Sequence, residues 1–369
     1  MRKHLIITIL IAVLGSVACE DTIKYEYDLS DGKMTILGQL STADSRHTLF
    51  LSMSYPDRID SLPGATVECF VNGSRSLAKA IPAGYTEQIV DWWTGETELV
   101  PNHFPYTRYE FEANFKPGDK VRIEATKGNL RAWAETVIPA PVTIISVDTA
   151  TVVKSSVYQS IGETETYEQE YVEFTVRLGD VKGADSYYSM NPEITTINTL
   201  SSETEEGFAV DVRGPVGLDY ETFHDLILED GYSSGMGDMF EDLLPVNYTR
   251  CFSDKMFKDS EATVKFYIPS YYFHGFPYEY YYIASKVVVD KTFRLSVKSF
   301  DRSFYNYLRA INNMQCYGYD VSPIIEPTML PSNVNGGMGI VSVASDSGIE
   351  ITLPTEVFLR GENDNIYYY

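Results

Sequence analysis

From Lys33 onward the chain alternates apolar and polar residues in short runs, and turn residues interrupt each run. The runs 34–40, 48–54, 66–71, 109–115, 121–125 and 132–137 each place every second side chain on one face. A period of two belongs to a strand, whose successive side chains point to opposite sides, and it cannot make the apolar stripe of a helix. Asn72-Gly73 between two such runs suits a type I′ hairpin, because both central positions need positive φ. Lys116-Pro117-Gly118-Asp119 reads as a second tight turn. Six or more short strands with turns at this spacing describe an immunoglobulin-like β-sandwich over residues 33–141. Segment 85–106, which holds Trp92, Trp93, His103 and Phe104, interrupts the rhythm and reads as a long loop. Pro139-Ala140-Pro141 forms a stiff connector out of this domain.

A second, larger β-rich domain is expected over residues 142–369. Its strand-like runs are 143–147, 170–178, 186–190, 262–268 and 292–297. One helix is well signalled: Asp301 suits its N-cap, and Phe304, Tyr307, Leu308, Ile311 and Met314 fall at helical spacing, as for a helix packed on a sheet. Stretch 191–250 is polar and Gly-rich and carries no clear period. The fold class is therefore all-β, with one packed helix, in two domains.

The first 18 residues have a different character. Arg2 and Lys3 precede an apolar stretch from Leu5 to Leu14 and then small residues. That stretch is shorter than the about 20 residues needed to span a bilayer, so residues 1–18 read as a signal peptide. Cys19 directly follows Ser16-Val17-Ala18, a pattern that resembles a bacterial lipobox, with Cys19 as the lipidation site. The alternative is a plain cleavage site with Cys19 incidental. Glu20-Asp21 resembles the surface-export signal of Bacteroidota lipoproteins, and residues 19–32 read as a lipidated tether. Cys69 alternates with Val67 and Val71 and is expected to be a buried thiol. Cys251 and Cys316 are left open between a disulfide and free thiols.

Asp and Glu number 52 against 29 Lys and Arg, a formal charge of −23, and such a surface repels phosphate backbones. Nucleic acid is therefore excluded as a partner.

In the last third, Tyr305-Asn306-Tyr307-Leu308 precedes Glu326-Pro327 and then Ser332-Asn333-Val334-Asn335-Gly336-Gly337-Met338-Gly339-Ile340. Asp185-Ser186-Tyr187-Tyr188 and Phe252-Ser253-Asp254-Lys255-Met256-Phe257 lie upstream. This order resembles the Bacteroidota lipoprotein family catalogued as domain of unknown function 4249. The resemblance spans nearly the whole mature chain, although Ile340-Val341 stands where an aromatic residue is expected. It implies an outer-membrane surface lipoprotein found beside TonB-dependent transporters, and it supplies no catalytic residues.

The residues themselves offer little chemistry. His47, His103, His224 and His274 are scattered, with no zinc-type spacing and no triad. Asp230, Asp238, Glu241 and Asp242 are calcium-type ligands but do not follow the EF-hand pattern. Gly336-Gly337-Met338-Gly339 lacks the P-loop ending and reads as a tight turn between Val334 and Ile340. No cofactor, no metal and no enzymatic activity are expected.

The feature above background is aromatic. The chain holds 28 Tyr and 18 Phe, and segment 271–282 concentrates them. Gly275 and Pro277 put a turn in its middle. Tyrosine offers a broad apolar face and a hydroxyl at low entropic cost, which suits sugars, peptides or flat ligands. Tyr272, Phe273, Phe276, Tyr278, Tyr280 and Tyr282, together with Trp92 and Trp93, are thus the candidate ligand-binding residues, against the alternative that alternate rings line a core. The function expected is a noncatalytic ligand-binding or accessory lipoprotein, partnered by the membrane through its acyl anchor and by a TonB-dependent transporter barrel. The alternative is a structural or adhesive surface protein.

Overall fold

The alternating runs are strands in the computed structural model, which describes residues 32–55, 57–80, 86–90, 97–101, 106–160, 163–201, 208–232, 247–274, 284–317, 330–360 and 366–368. The leader, Cys19 and the tether up to residue 31 lie outside the described residues.

Lys33–Ser41 and Arg46–Ser54 pair antiparallel, and Thr107–Glu112 joins the free edge of the second. A facing sheet runs in the order Leu130–Val137, Lys120–Lys127, Thr66–Val71, Ser74–Leu77. Ile36, Leu40, Leu49, Leu51 and Tyr109 from one sheet interlock with Val67, Cys69, Ile123 and Ala134 from the other. Burying such faces contributes about 25 cal/mol for each Å² of apolar surface and is the main force holding the two sheets together. The hairpin at Asn72-Gly73 has φ of 50° and 85°, as its sequence requires. At the second turn, Asp119 N–H donates to the Lys116 carbonyl at 3.0 Å. Segment 85–106 is not simply a loop: Thr86–Val90 and Thr97–Pro101 pair as a two-stranded ribbon. Trp92, Trp93 and His103 fall outside the described residues.

A second sandwich follows. One layer is Thr143–Ser160, Glu163–Gly179 and Glu261–Pro269; the other contains Phe208–Gly217, Tyr187–Ser201 and Lys286–Phe300. The unassigned stretch 191–250 therefore contributes a long hairpin, whose strands pair from Glu193 opposite Gly217 to Ser201 opposite Phe208.

One strand serves both sandwiches. The first half of Met338–Thr352 lies parallel to Lys33–Ser41, from Thr35 opposite Met338 to Ser41 opposite Ala344. Its second half pairs antiparallel with Thr292 to Ser299. Val341 and Val343 enter the first core, and Ile349 and Ile351 pack against the second. The glycines ahead of it do more than turn the chain. The turn is confined to 335–337, and Gly339 is already paired in the sheet at φ +107°, where a Cβ would stand 2.1 Å from the Ile36 carbonyl oxygen. Only a residue without a side chain lets the two backbones approach in this way.

Helix Arg302–Tyr317 sits at the junction. Asp301 Oδ1 accepts from Ser303 N–H at 2.8 Å and from Phe304 N–H at 3.1 Å, the N-cap expected from sequence. Its Oδ2 accepts from the hydroxyls of Thr136 at 3.1 Å and Ser342 at 3.0 Å. One carboxylate thus ties the helix, the first sandwich and the shared strand together. Below it, Phe300, Phe304 and Tyr305 pack with Tyr187, Cys251 and Ile340. Cys69 and Cys251 are buried free thiols, so Cys251 forms no disulfide with Cys316. Burial pushes the Cys69 thiol up to about 12 and Cys251 up to about 11, which keeps both protonated and inert.

Candidate aromatic binding face

The second core is built on a column of rings. Phe293 and Phe174 stack with centroids 4.7 Å apart, and Phe174 and Phe266 stack at 4.9 Å with planes 3° from parallel. Tyr220 tilts onto Phe266 at 5.1 Å, and the Arg250 guanidinium lies 4.5 Å above the Tyr220 ring. The column therefore runs from the middle of the sandwich to a cation at its surface.

Phe273 belongs to this column and not to a binding surface. It is 6% exposed and packs against Phe174 at 6.0 Å and Phe293 at 5.9 Å. Strand Glu261–Pro269 ends in a single 3-10 turn, Ser270–Tyr272, which folds the next side chain under the sheet. Lys291 Nζ fixes this stem by donating to the Phe273 carbonyl at 2.7 Å, and it pairs with Glu356 Oε2 at 3.0 Å. The other oxygen of Glu356 meets His274 Nδ1 at 3.1 Å. Lys291 and Glu356 are buried, so this pair locks the root of the tyrosine segment to the large sheet. Tyr272 is half-buried and Tyr271 is exposed, with ring centroids 4.5 Å apart. Phe276, Tyr278, Tyr280 and Tyr282 lie outside the described residues.

Next to this stem, on the outer side of the three-stranded sheet, is a ring cluster that sequence reasoning did not select. Phe174, Val176, Val264 and Phe266 face the core, so the alternate positions Tyr171, Glu173 and Lys265 face outward, while Tyr267 on the same side is only 6% exposed and forms the floor under its neighbours. Phe223 stands edge-on to Tyr171 at 5.3 Å and to Tyr267 at 4.9 Å, and Lys154 Nζ lies 4.4 Å over the Tyr267 ring. Segment 221–225 carries Phe223 there and is stitched to the sheet edge. Glu221 and Tyr267 exchange two backbone hydrogen bonds of 2.9 Å, and Asp225 Oδ2 accepts from Lys265 N–H at 2.7 Å. Phe223 and His224 both hold left-handed backbone, φ 40° and 73°, a conformation costing about 1–2 kcal/mol per L-residue. The stitching bonds offset that strain and hold the ring in place.

Charges flank the rings. The Lys265 ammonium, 2.7 Å away, is the main reason Glu173 is held below the usual carboxylate range. Burial, helped by the hydrogen bond to Glu173, pushes the Tyr267 phenol up to about 12. Burial also raises Tyr171, with smaller contributions from Glu221 and Tyr271. The result is a set of fixed aromatic edges and faces bordered by charge, suited to stacking on a ring or a planar group. The outward face of Tyr171 and Tyr267 was readable from alternation, whereas the segment that brings Phe223 over them is not adjacent in sequence.

Among the described residues no group of three or more His, Cys, Asp or Glu is placed to hold a metal ion. Asp230, a calcium-type ligand by sequence, is engaged by the Ser253 hydroxyl at 2.9 Å, by Arg309 at 3.2 Å and by the Tyr305 hydroxyl. Also among the described residues, no helix is long and apolar enough to cross a membrane.

A family model described as a domain of unknown function (DUF4249) matches residues 20–349. No curated protein matches the chain.

Proposed function

The chain belongs to the DUF4249 family, and we propose that it is an outer-membrane surface lipoprotein of Bacteroidota type that captures a ligand without transforming it, as an accessory to a TonB-dependent uptake system. The observation that carries the capture half is the cluster Tyr171, Phe223, Tyr271 and Tyr272, seated around the buried Tyr267 ring and held on rigid sheet and strained backbone instead of on a loose loop. A binding face that is ordered before the ligand arrives loses less entropy on binding. The display half is supported by the leader, by Cys19 with its lipobox-like flank, and by Glu20-Asp21. Several acyl chains on Cys19 would hold the protein stably, since each buried CH₂ contributes about 0.8 kcal/mol.

The test is purification of the full chain from native outer membrane. The proposal expects a transporter barrel to accompany it, and expects the Cys19→Ala chain to lose both membrane and barrel. Recovery of the wild-type chain without a barrel would remove the uptake role.

A structural or adhesive surface role is favoured by one observation. Edge strand Phe208–Gly217 exposes Val210, Val212 and Val216 by 52–61%, and an apolar sheet edge is a template for pairing with another chain. Binding to other cells that survives loss of the transporter would support it.

A further inference from the structure

Where the aromatic column reaches the surface there is a cavity of about 300 Å³, open to solvent and separate from the outer ring cluster. Met190, Leu218 and Tyr220, core side chains only 1–6% exposed, lie beneath it, Glu193 and Asp219 stand in its wall, and Tyr248 and Arg250 complete it. Two features mark it as built for a ligand. The first is Arg250, which holds left-handed backbone at φ 54° and sets its guanidinium carbon 4.5 Å over the Tyr220 ring. Among the described residues its guanidinium makes no ion pair and donates no hydrogen bond. The second is that Glu193 and Asp219, likewise without ion pairs among the described residues, face the same cavity and are not within bonding range of Arg250. A cation and two carboxylates share one small space without neutralising one another.

We propose that this cavity binds a free α-amino acid with an apolar side chain. Its carboxylate would take the Arg250 fork, its ammonium would face Glu193 and Asp219, and its side chain would lie on Met190, Leu218 and Tyr220. A guanidinium matches a carboxylate through two parallel hydrogen bonds, and stacking on a ring leaves those N–H edges available. The volume lies at the bottom of the about 300–1,000 Å³ range of small-molecule pockets, which suits one residue and not a sugar chain. The formal charge of −23 repels a simple anion, whereas a zwitterion carries no net charge to be repelled.

The inference rests on the reading of the second sandwich as a ligand-capturing unit. The test is calorimetric titration of the detergent-solubilised full chain with L-leucine and L-phenylalanine, alongside N-acetyl-L-leucine, which lacks the ammonium, and L-leucinamide, which lacks the carboxylate. At least one zwitterion should bind saturably, and each derivative should bind about tenfold more weakly or worse. Arg250→Gln should lose about tenfold to a hundredfold in affinity with an unchanged melting temperature, the range expected for a hydrogen bond to a charged group. Should that variant fold poorly, Glu193→Gln/Asp219→Asn keeps the question open to test, since it should abolish the preference for L-leucine over its N-acetyl form. No saturable binding of either amino acid, equal binding of a derivative, or a wild-type affinity in Arg250→Gln would overturn the assignment. Failure here with a barrel still co-purifying removes only the amino-acid assignment. Success here without a barrel removes only the uptake role.

Discussion

Replacing Phe273 by Ala separates a core ring from a binding ring more sharply than any other single change in the tyrosine segment. Phe273 is 6% exposed and touches two members of the stacked column, Phe174 and Phe293. Those rings are themselves held by partners on other faces and cannot collapse into the space, so the cavity term adds to the lost transfer energy. Phe→Ala at such a site costs about 3–5 kcal/mol. For a unit of this size each kcal/mol lowers the melting temperature by about 2–4 °C, so a fall of about 6–20 °C is expected. Tyr271 lies two residues earlier and is 60% exposed, so Tyr271→Ala should change stability by about 0.5 kcal/mol or less. Thermal unfolding followed by near-ultraviolet circular dichroism reads both variants directly. A Phe273→Ala protein that melts within about 1 °C of wild type would refute the column as the support of the segment. A Tyr271→Ala protein as unstable as Phe273→Ala would place that ring in the core as well.

Three further outcomes follow from the geometry. Gly339→Ala should cost more than about 3 kcal/mol, because the new Cβ meets the Ile36 carbonyl oxygen at 2.1 Å and the backbone is left-handed; a denaturant midpoint equal to wild type would show that the parallel pairing tolerates a side chain. Lys291→Met leaves the Glu356 carboxylate buried without its main cation and should cost about 3–5 kcal/mol, whereas Lys291→Met/Glu356→Leu should recover most of the loss. A double variant no more stable than the single one contradicts that reading. His47 is buried, its Nε2–H donates to the Ala113 carbonyl at 3.0 Å, and burial holds the imidazole below its ordinary 6.5. Because the folded state binds the proton less well than the unfolded chain, stability is full above about pH 6.5 and declines as pH falls towards the lowered value. His47→Gln should flatten that decline, and an unchanged acid limb in the pH-dependent melting curve would assign it to other groups.

Local signals in the sequence translated well into local structure. Alternation located the strands, Asn72-Gly73 located a hairpin, and Asp301 located the start of the helix, because each depends on residues within a few positions. Partnership was not legible. Nothing near Met338 says that it will lie parallel to Thr35, some three hundred positions away, and the glycines that permit this pairing looked like an ordinary turn. The candidate site divided in the same way. The density of rings in 271–282 drew attention to this segment, yet a period of two cannot say that a 3-10 turn will fold Phe273 inward. Tyr171 and Tyr267 alternate visibly with core residues, but Phe223 joins them only through the stitching of 221–225 to the sheet edge. Arg250 had no signal at all, since its significance lies in a ring thirty positions earlier and in having no ion pair among the described residues.

The proposed outward display of these sandwiches rests on acylation of Cys19, and labelling cells with an alkynyl fatty acid tests that proposal most directly. The account predicts a tagged chain whose label disappears in Cys19→Ala. An untagged wild-type chain, or a label that persists in the variant, would contradict it.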